Sequence, residues 1–308
     1  MTRHFLTGDE LTGDELRALV RRAGELKRAR EPSRALAARS VALIFERPST
    51  RTRISMEVAV HELGGHPVVL REGEMQTSRG ESRHDTALVL SRYVGAVALR
   101  TDRHGKLEEL AASASVPVVN LLSDSHHPCQ ALADLLTLDE RFGTLAGLRL
   151  AYVGDGNNVA HSLMILGARA GVHVSVATPP ELRPDPEVVA RAEAGAASGG
   201  SVTVGTDPEA AARDAHALYT DVWVSMGDEA GAEERRGLLE DFRIDDALMR
   251  GARPDAVALH CLPAHPGEEI AEDLLYGERS AVWDQAENRL HAQKALLELL
   301  VAPGPADL

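Results

Sequence analysis

Short apolar runs and longer stretches of helical spacing alternate along this chain, in two successive series. In the first series, β-rich runs fall at residues 41–45, 67–70, 96–99 and 117–119. Helical patterns occupy 52–63, 82–93, 106–113 and 128–141. Strand, helix and strand in succession predict βαβ units, because a parallel crossover needs about a dozen residues or more. The second series has runs at 148–153, 172–177, 201–204, 217–219 and 257–259, again with helical patterns between them. Segment 141–147 carries two glycines and separates the series, which places a domain boundary there. The stretch 285–301 reads as one long helix that the pattern assigns to neither domain. The whole predicts an α/β chain of two domains, each a parallel sheet flanked by helices.

Near the N-terminus the pentapeptide Leu-Thr-Gly-Asp-Glu occurs twice in tandem, at 6–15. Each copy offers a Thr-x-x-Glu capping box, Thr7 with Glu10 and Thr12 with Glu15, that can start a helix. Leu16, Leu19, Val20, Ala23 and Leu26 then continue at helical spacing.

The composition narrows the function classes. With 44% apolar residues in 308 the chain can bury two cores, and 3% aromatics means they are built from Leu, Val and Ala. A formal net charge of -14, from 47 acidic against 33 basic residues, argues against nucleic-acid binding, which needs a basic face. Two distant cysteines, Cys129 and Cys261, make no disulfide framework. The start lacks the apolar core of a signal peptide. No run approaches the roughly 20 apolar residues of a membrane span. The expectation is a cytoplasmic protein without membrane or nucleic-acid partners.

Against that acidic background, FERPSTRTRIS at 45–55 gathers Arg47, Arg51 and Arg53 around a Pro-Ser-Thr turn. A strand ends at Phe45 and a helix begins near Thr50, so Ser49 and Thr50 offer hydroxyls and backbone N–H groups at a helix N-terminus, where negative charge is favoured. Arg51 adds a planar fork that suits phosphate. A capped helix with solvated arginines explains Ser49 but not the density of positive charge, so this stretch is read as an anion site. Arg100 follows the run 96–99, at the strand end where a parallel sheet places its ligand crevice. His127 precedes Pro128 at the mouth of the next predicted helix, with Gln130 one turn in, and the pair could hydrogen-bond a carbonyl or amide. No Cys/His/Asp set of zinc-like spacing accompanies the histidines, and no metal is expected.

The second half offers different chemistry. YVGDGNNVAHSL resembles a dinucleotide loop, but Val159 replaces the third glycine and Thr178 stands where a ribose-binding acid belongs, which argues against a nicotinamide. Asn157 and Asn158 instead present amides at a helix N-terminus. Asp221 closes a strand before Ser225 and Met226 and could hold an ammonium. Cys261 follows the run 257–259. An extended chain turns His260 away from it, and His265 is a possible partner base. A cationic first half suits an anion and the second half suits an amine, which predicts an active site in the cleft between the domains.

FERPSTRTR, HPCQ, DVWVSMG, HCLP and QAENR, in that order, resemble the aspartate/ornithine carbamoyltransferase family over essentially the whole chain. Asp-x-x-x-Ser-Met-Gly with His-Cys-Leu-Pro points to the ornithine branch. The resemblance implies that Ser49, Thr50, Arg51 and Thr52 bind the phosphate of carbamoyl phosphate. It implies that Arg100, His127 and Gln130 hold its carbonyl end, with Gln76 a further contact. Asn158, Asp221, Ser225 and Met226 match ornithine contacts, and Cys261, Leu262 and Arg289 lie beside the reacting centre. Arg51, Arg100, His127 and Cys261 carry the catalytic roles. Ser78 and Pro266 depart from residues common in the family, Gly and Arg. The implied fold has a carbamoyl-phosphate domain at 1–144, rejoined by the C-terminal helix at 286–308, and an ornithine domain at 145–285. The implied activity forms citrulline and phosphate, in arginine biosynthesis or in reverse, with no cofactor, in a homotrimer or a multiple of it with active sites near subunit interfaces. A carbamoyltransferase for putrescine or an N-acylated ornithine would keep the first-half motifs and change 221–227.

Overall fold

The computed structural model describes residues 2–29, 33–197, 199–224 and 231–301. The chain divides into two compact units, Met1–Leu132 with Arg289–Leu308, and Ala133–Asn288.

The first unit carries four parallel strands in the order β2-β1-β3-β4: β1 (Ser40–Phe45), β2 (His66–Arg71), β3 (Ala96–Arg100) and β4 (Val118–Leu122). Helices α1 (Gly13–Arg28), α2 (Thr50–Glu62), α3 (Arg83–Tyr93) and α4 (His104–Ser113) belong to this unit. Ala42, Ile44, Val97 and Leu99 from the central strands pack with Ala87 of α3 and Leu107 and Leu110 of α4. Each fully buried leucine or isoleucine contributes about 1.5–3 kcal/mol against exposure. The strand β4 runs three residues beyond the apolar run, where the buried Asn120 donates its Nδ2 to Leu6 O at 2.8 Å.

The tandem pentapeptide folds in two ways. Thr12 caps α1 and Glu15 closes the capping box, its carboxyl held down to about 2 first by the Arg3 hydrogen bonds and then by those of Thr12. The first copy starts no helix. Its Glu10 carboxylate accepts from the backbone N–H groups of Leu6, Thr7 and Gly8 and stabilises a turn instead. Gly8 has φ 104°, which stops a helix from starting there.

The second unit has five parallel strands in the order β7-β6-β5-β8-β9: β5 (Arg149–Val153), β6 (His173–Ala177), β7 (Ser201–Gly205), β8 (Ala217–Thr220) and β9 (Val257–His260). Helix α5 (Pro128–Phe142) follows β4 in the chain, and the division between units falls inside it. Then come α6 (Asn158–Ala170), α7 (Pro186–Ala194), α8 (Pro208–Ala212), α9 (Ala232–Leu239), α10 (Asp246–Gly251) and α11 (Glu272–Leu275). The last helix, α12 (Val282–Val301), also contains a division point. The buried Tyr152 of β5 and Tyr219 of β8 stack at 5.8 Å, among the few aromatics of this core.

Candidate active-site clusters

In the first unit the candidate side chains of the arginine-rich turn and Arg100 sit at the carboxyl ends of adjacent strands. Register pairs Phe45 with Arg100, and Glu46 N donates to Arg100 O at 3.0 Å, so the arginine-rich turn and Arg100 are neighbours by backbone pairing. Ser49 caps α2, its hydroxyl accepting from Thr52 N at 3.3 Å. Unlike α1 or α3, α2 has no acidic residue in its first turn to complement the positive helix end. Of the three arginines in the motif, Arg53 pairs with Glu57 at 2.6 Å and Arg47 lies 3.7 Å from Asp102. Arg51 has a buried Nε with no hydrogen-bond acceptor among the described residues. A cavity of about 710 Å³ opens beside this turn, lined by Phe45, Pro48, Ser49, Thr50, Arg53 and Arg71.

Arg289, near the middle of α12, completes the cluster. Its guanidinium donates to Gln130 Oε1 at 2.6 Å and to Thr52 Oγ1, tying the start of α5 to the first turn of α2. His127, buried before Pro128, is kept neutral. Burial pushes its pKa well below the ordinary histidine value, and the charges of Arg289, Arg100 and Arg51 lower it further. A neutral imidazole among three guanidiniums can donate or accept a hydrogen bond without adding a fourth positive charge. Gln76 stands apart. It begins an exposed 3-10 turn (Gln76–Arg79) and makes no side-chain hydrogen bond to this cluster among the described residues. In the same turn Ser78 donates to Met75 O at 2.7 Å.

Glu46, absent from the sequence-derived set, holds these loops together. Its carboxylate accepts from Thr101 Oγ1 at 2.6 Å and Lys106 Nζ at 2.8 Å and pairs with Arg83 at 3.0 Å. Burial raises its pKa, but the hydrogen bonds from Lys106 and Thr101 and the charges of Arg83 and Lys106 outweigh that and leave it lowered. A carboxylate within an arginine-rich motif was the available signal.

In the second unit, Asp221 follows β8 and Cys261 follows β9, adjacent strands whose register pairs Thr220 with His260. The Cys261 thiol donates to Asp221 Oδ1 at 2.8 Å, and Val222 N donates to the same oxygen at 2.8 Å. Asn157 Nδ2 donates to Asp221 Oδ2 at 2.9 Å. Asn157, rather than Asn158, caps α6; Asn158 is the first helical residue. Gly156 before it leaves room that a Cβ would take from Pro184 N at 2.4 Å and Leu182 O at 2.5 Å.

Two expectations about Cys261 are corrected. The partner of the thiol is Asp221, not His265, whose backbone N–H and ring turn to the buried Glu269. His260 does not turn away, since a ring nitrogen lies within 4.8 Å of Cys261 Sγ and an Asp221 oxygen. The chain leaves extended conformation after Cys261, where Leu262 has φ 61°, and Leu262 N donates to His260 Nδ1 at 2.8 Å. With Nδ1 accepting, the proton sits on Nε2 and points to Glu269 Oε1 at 3.2 Å. Ser225 and Met226 lie outside the described residues.

Two family models match the chain. The carbamoyl-phosphate-binding domain of aspartate/ornithine carbamoyltransferase covers residues 3–140, and the aspartate/ornithine-binding domain covers 146–300. An ornithine carbamoyltransferase of Acidothermus cellulolyticus is 57% identical over 98% of this chain and 97% of its own length. The solved ornithine carbamoyltransferase of Pyrococcus furiosus superposes with a TM-score of 0.93 at 50% identity, covering 97% of each chain. An acetylornithine transcarbamylase solved with acetylcitrulline is more distant, with a TM-score of 0.86 and 31% identity over 97% of this chain and 99% of its own. The matched domains span nearly every residue that builds the two clusters, and on that ground the chain belongs to the aspartate/ornithine carbamoyltransferase family.

Proposed function

We propose that this protein transfers the carbamoyl group of carbamoyl phosphate to the δ-amine of L-ornithine, forming L-citrulline and phosphate. The observation that carries the reading is the paired character of the clusters. One gathers arginines around a neutral histidine and leaves the Arg51 Nε donor unmet among the described residues. The other aims a carboxylate and a thiol from two adjacent strand ends.

In this reading Ser49, Thr50, Arg51 and Thr52 bind the phosphate, and Arg100, His127 and Gln130 take the carbonyl end. Because Thr52 Oγ1 accepts from Arg289, its O–H remains to donate to the carbamoyl oxygen. The δ-amine must lose a proton, since a free alkylammonium has a pKa of about 10.4. Nearby guanidiniums favour that loss. The first proton leaves to solvent, the neutral nitrogen attacks the carbamoyl carbon, and the bond from that carbon to the bridging phosphate oxygen breaks. The leaving phosphate takes the second proton from the attacking nitrogen, and the arginines compensate its remaining charge. Asp221, Asn158 and Cys261, with Ser225, Met226 and Leu262, bind and align the amino acid. No covalent bond to Cys261 is invoked. Orientation of the two substrates is worth up to about 7–11 kcal/mol of the barrier.

We assign the donor role to residues 1–144 with 286–308 and the acceptor role to 145–285. A homotrimer fits the exposed apolar side chains of α2 and α3, with Ile54 at 57% and Tyr93 at 75% exposure, which a monomer would leave in water. Gln76, exposed and outside the cluster, would then serve a neighbouring subunit's donor site. A cytoplasmic location and use in arginine biosynthesis complete the reading; the Pyrococcus furiosus relative is named as anabolic. Among the described residues no helix is long and apolar enough to cross a membrane.

The test is a colorimetric assay for carbamoylated product with carbamoyl phosphate and, in parallel, ornithine, N-acetylornithine, putrescine or aspartate. Turnover with ornithine alone is expected. Turnover with another acceptor keeps the donor half and removes the acceptor assignment.

A further inference from the structure

The carboxylate of Asp221 owes part of its orientation to a residue that no assignment above includes. The Asn157 side chain makes four hydrogen bonds at once. Its Oδ1 accepts from Val159 N at 2.9 Å, Ala160 N at 3.2 Å and the buried Tyr152 hydroxyl at 3.2 Å. Three donors on one oxygen settle which way the amide faces, and that orientation aims Nδ2 at Asp221 Oδ2. Capping alone does not call for asparagine. The other side-chain caps among the described residues are Thr12, Ser49, Ser82, Asp185, Asp207 and Asp245. What an amide adds is a donor on the side opposite the cap. Aspartate there would present an oxygen to Asp221 at a distance of 2.9 Å, and serine would fall short of it.

We infer that Asn157 is a positioning residue for the acceptor amine, fixing the Asp221 carboxylate between the start of α6 and the Cys261 thiol. Building on the proposed function, it adds a role for a residue that does not itself touch substrate. The hydrogen bonds hold Asp221 from both sides, Cys261 and Val222 on Oδ1 and Asn157 on Oδ2. Loss of the Asn157 donor leaves Oδ2 without its fixed partner and lets the carboxylate rotate from the bound position.

The test compares Asn157→Asp and Asn157→Ser with the wild type in the full-length protein. Both replacements keep a capping oxygen, but aspartate sets a second carboxylate against Asp221 and serine falls short of the buried Tyr152 hydroxyl. Both melting temperatures should therefore fall by several degrees, and the inference is read from the split between the two KM values. The KM for ornithine should rise at least about tenfold in the serine variant, the scale for losing a donor to a charged group, and further in the aspartate variant. The KM for carbamoyl phosphate should change less than about twofold, because the donor cluster is untouched. Ornithine KM values within about twofold of wild type in both variants, or equal rises for both substrates, overturn the inference. If the wild type carbamoylates no ornithine, the functional reading fails, and the ligand-free crystal structure of Asn157→Asp decides the inference on its own. An Asp221 carboxylate turned away from Cys261 Sγ upholds it, and one left in place overturns it.

Discussion

The two clusters solve opposite electrostatic problems. In the first, Arg51, Arg100 and Arg289 surround one imidazole whose proton is driven off by burial and by their charge, and the Arg51 Nε donor has no acceptor among the described residues. In the second, both oxygens of Asp221 are engaged by donors of the same unit. In the proposed reading the first keeps the Arg51 donor for an anion, which supplies the compensation when it arrives. The second is preorganised by internal satisfaction, so in the same reading the acceptor substrate meets a carboxylate already held in place. An acidic chain needs the first arrangement because its overall field repels anions, and only concentrated local charge reverses that.

Removing one donor from the unmet cluster should have the largest effect. Arg51→Ala is expected to lower kcat/KM for carbamoyl phosphate by about a thousandfold, the range for loss of a preorganised charged donor in a dry site. Arg51→Lys should recover little, because a point charge lacks the planar fork. Steady-state kinetics with ornithine saturating reads this directly, and near-normal activity in the alanine variant removes the phosphate assignment. In the second cluster, Asp221→Asn keeps shape but deletes the charge. A loss of about a hundredfold in kcat/KM for ornithine is expected, with phosphate affinity by calorimetry unchanged. Equal damage to both measurements would erase the distinction between the clusters.

How far these clusters were legible in the sequence follows from the distances involved. Strands and helices were visible because apolar runs and helical spacing are local, and β1 and α2 sit where the pattern places them, with Ser49 capping α2. The end of β4 was not visible, since the polar Asn120 looks like a terminator until Leu6 supplies its acceptor from 114 residues away. The pairing of Cys261 with Asp221, 40 residues apart, depends on β8 and β9 being neighbours. His260 misled for a local reason: alternation applies to a strand, and the strand ends at His260 before the left-handed Leu262. Arginine density suggested an anion site and a helix mouth suggested His127 with Gln130, whereas a role for Arg289 came only from family resemblance. The hydrogen bond between Gln130 and Arg289 joins two helices that no sequence pattern brings together.

Cys261→Ser probes the satisfied cluster more gently, because a hydroxyl can still donate to Asp221. A fall of about tenfold in kcat/KM for ornithine is expected, reflecting a shorter side chain rather than loss of the hydrogen bond. A mass shift of the wild-type protein on incubation with carbamoyl phosphate would show a carbamoylated thiol and end the view that Cys261 only aligns substrate.

The smallest expected effect concerns what holds the unmet cluster in place. Glu46 sits beside the arginine turn with Lys106, Thr101 and Arg83 around it, and its pKa is lowered in the folded chain. A carboxylate with a depressed folded pKa stabilises the fold above its unfolded value, near pH 4.3, and loses that contribution as the pH falls through the folded value. Glu46→Gln should therefore destabilise the first unit at neutral pH by about 1 kcal/mol, since the amide keeps part of the hydrogen bonding while its partners remain partly hydrated. The gap should close as the pH falls below the unfolded value and through the lower folded one, where the wild-type carboxylate takes up its own proton. Denaturant melts of both proteins across that range measure the gap. A constant difference at every pH would mean that packing, not charge, accounts for it. The same substitution should raise the KM for carbamoyl phosphate a few-fold and leave that for ornithine unchanged, because Glu46 braces only the cluster whose donors await an anion.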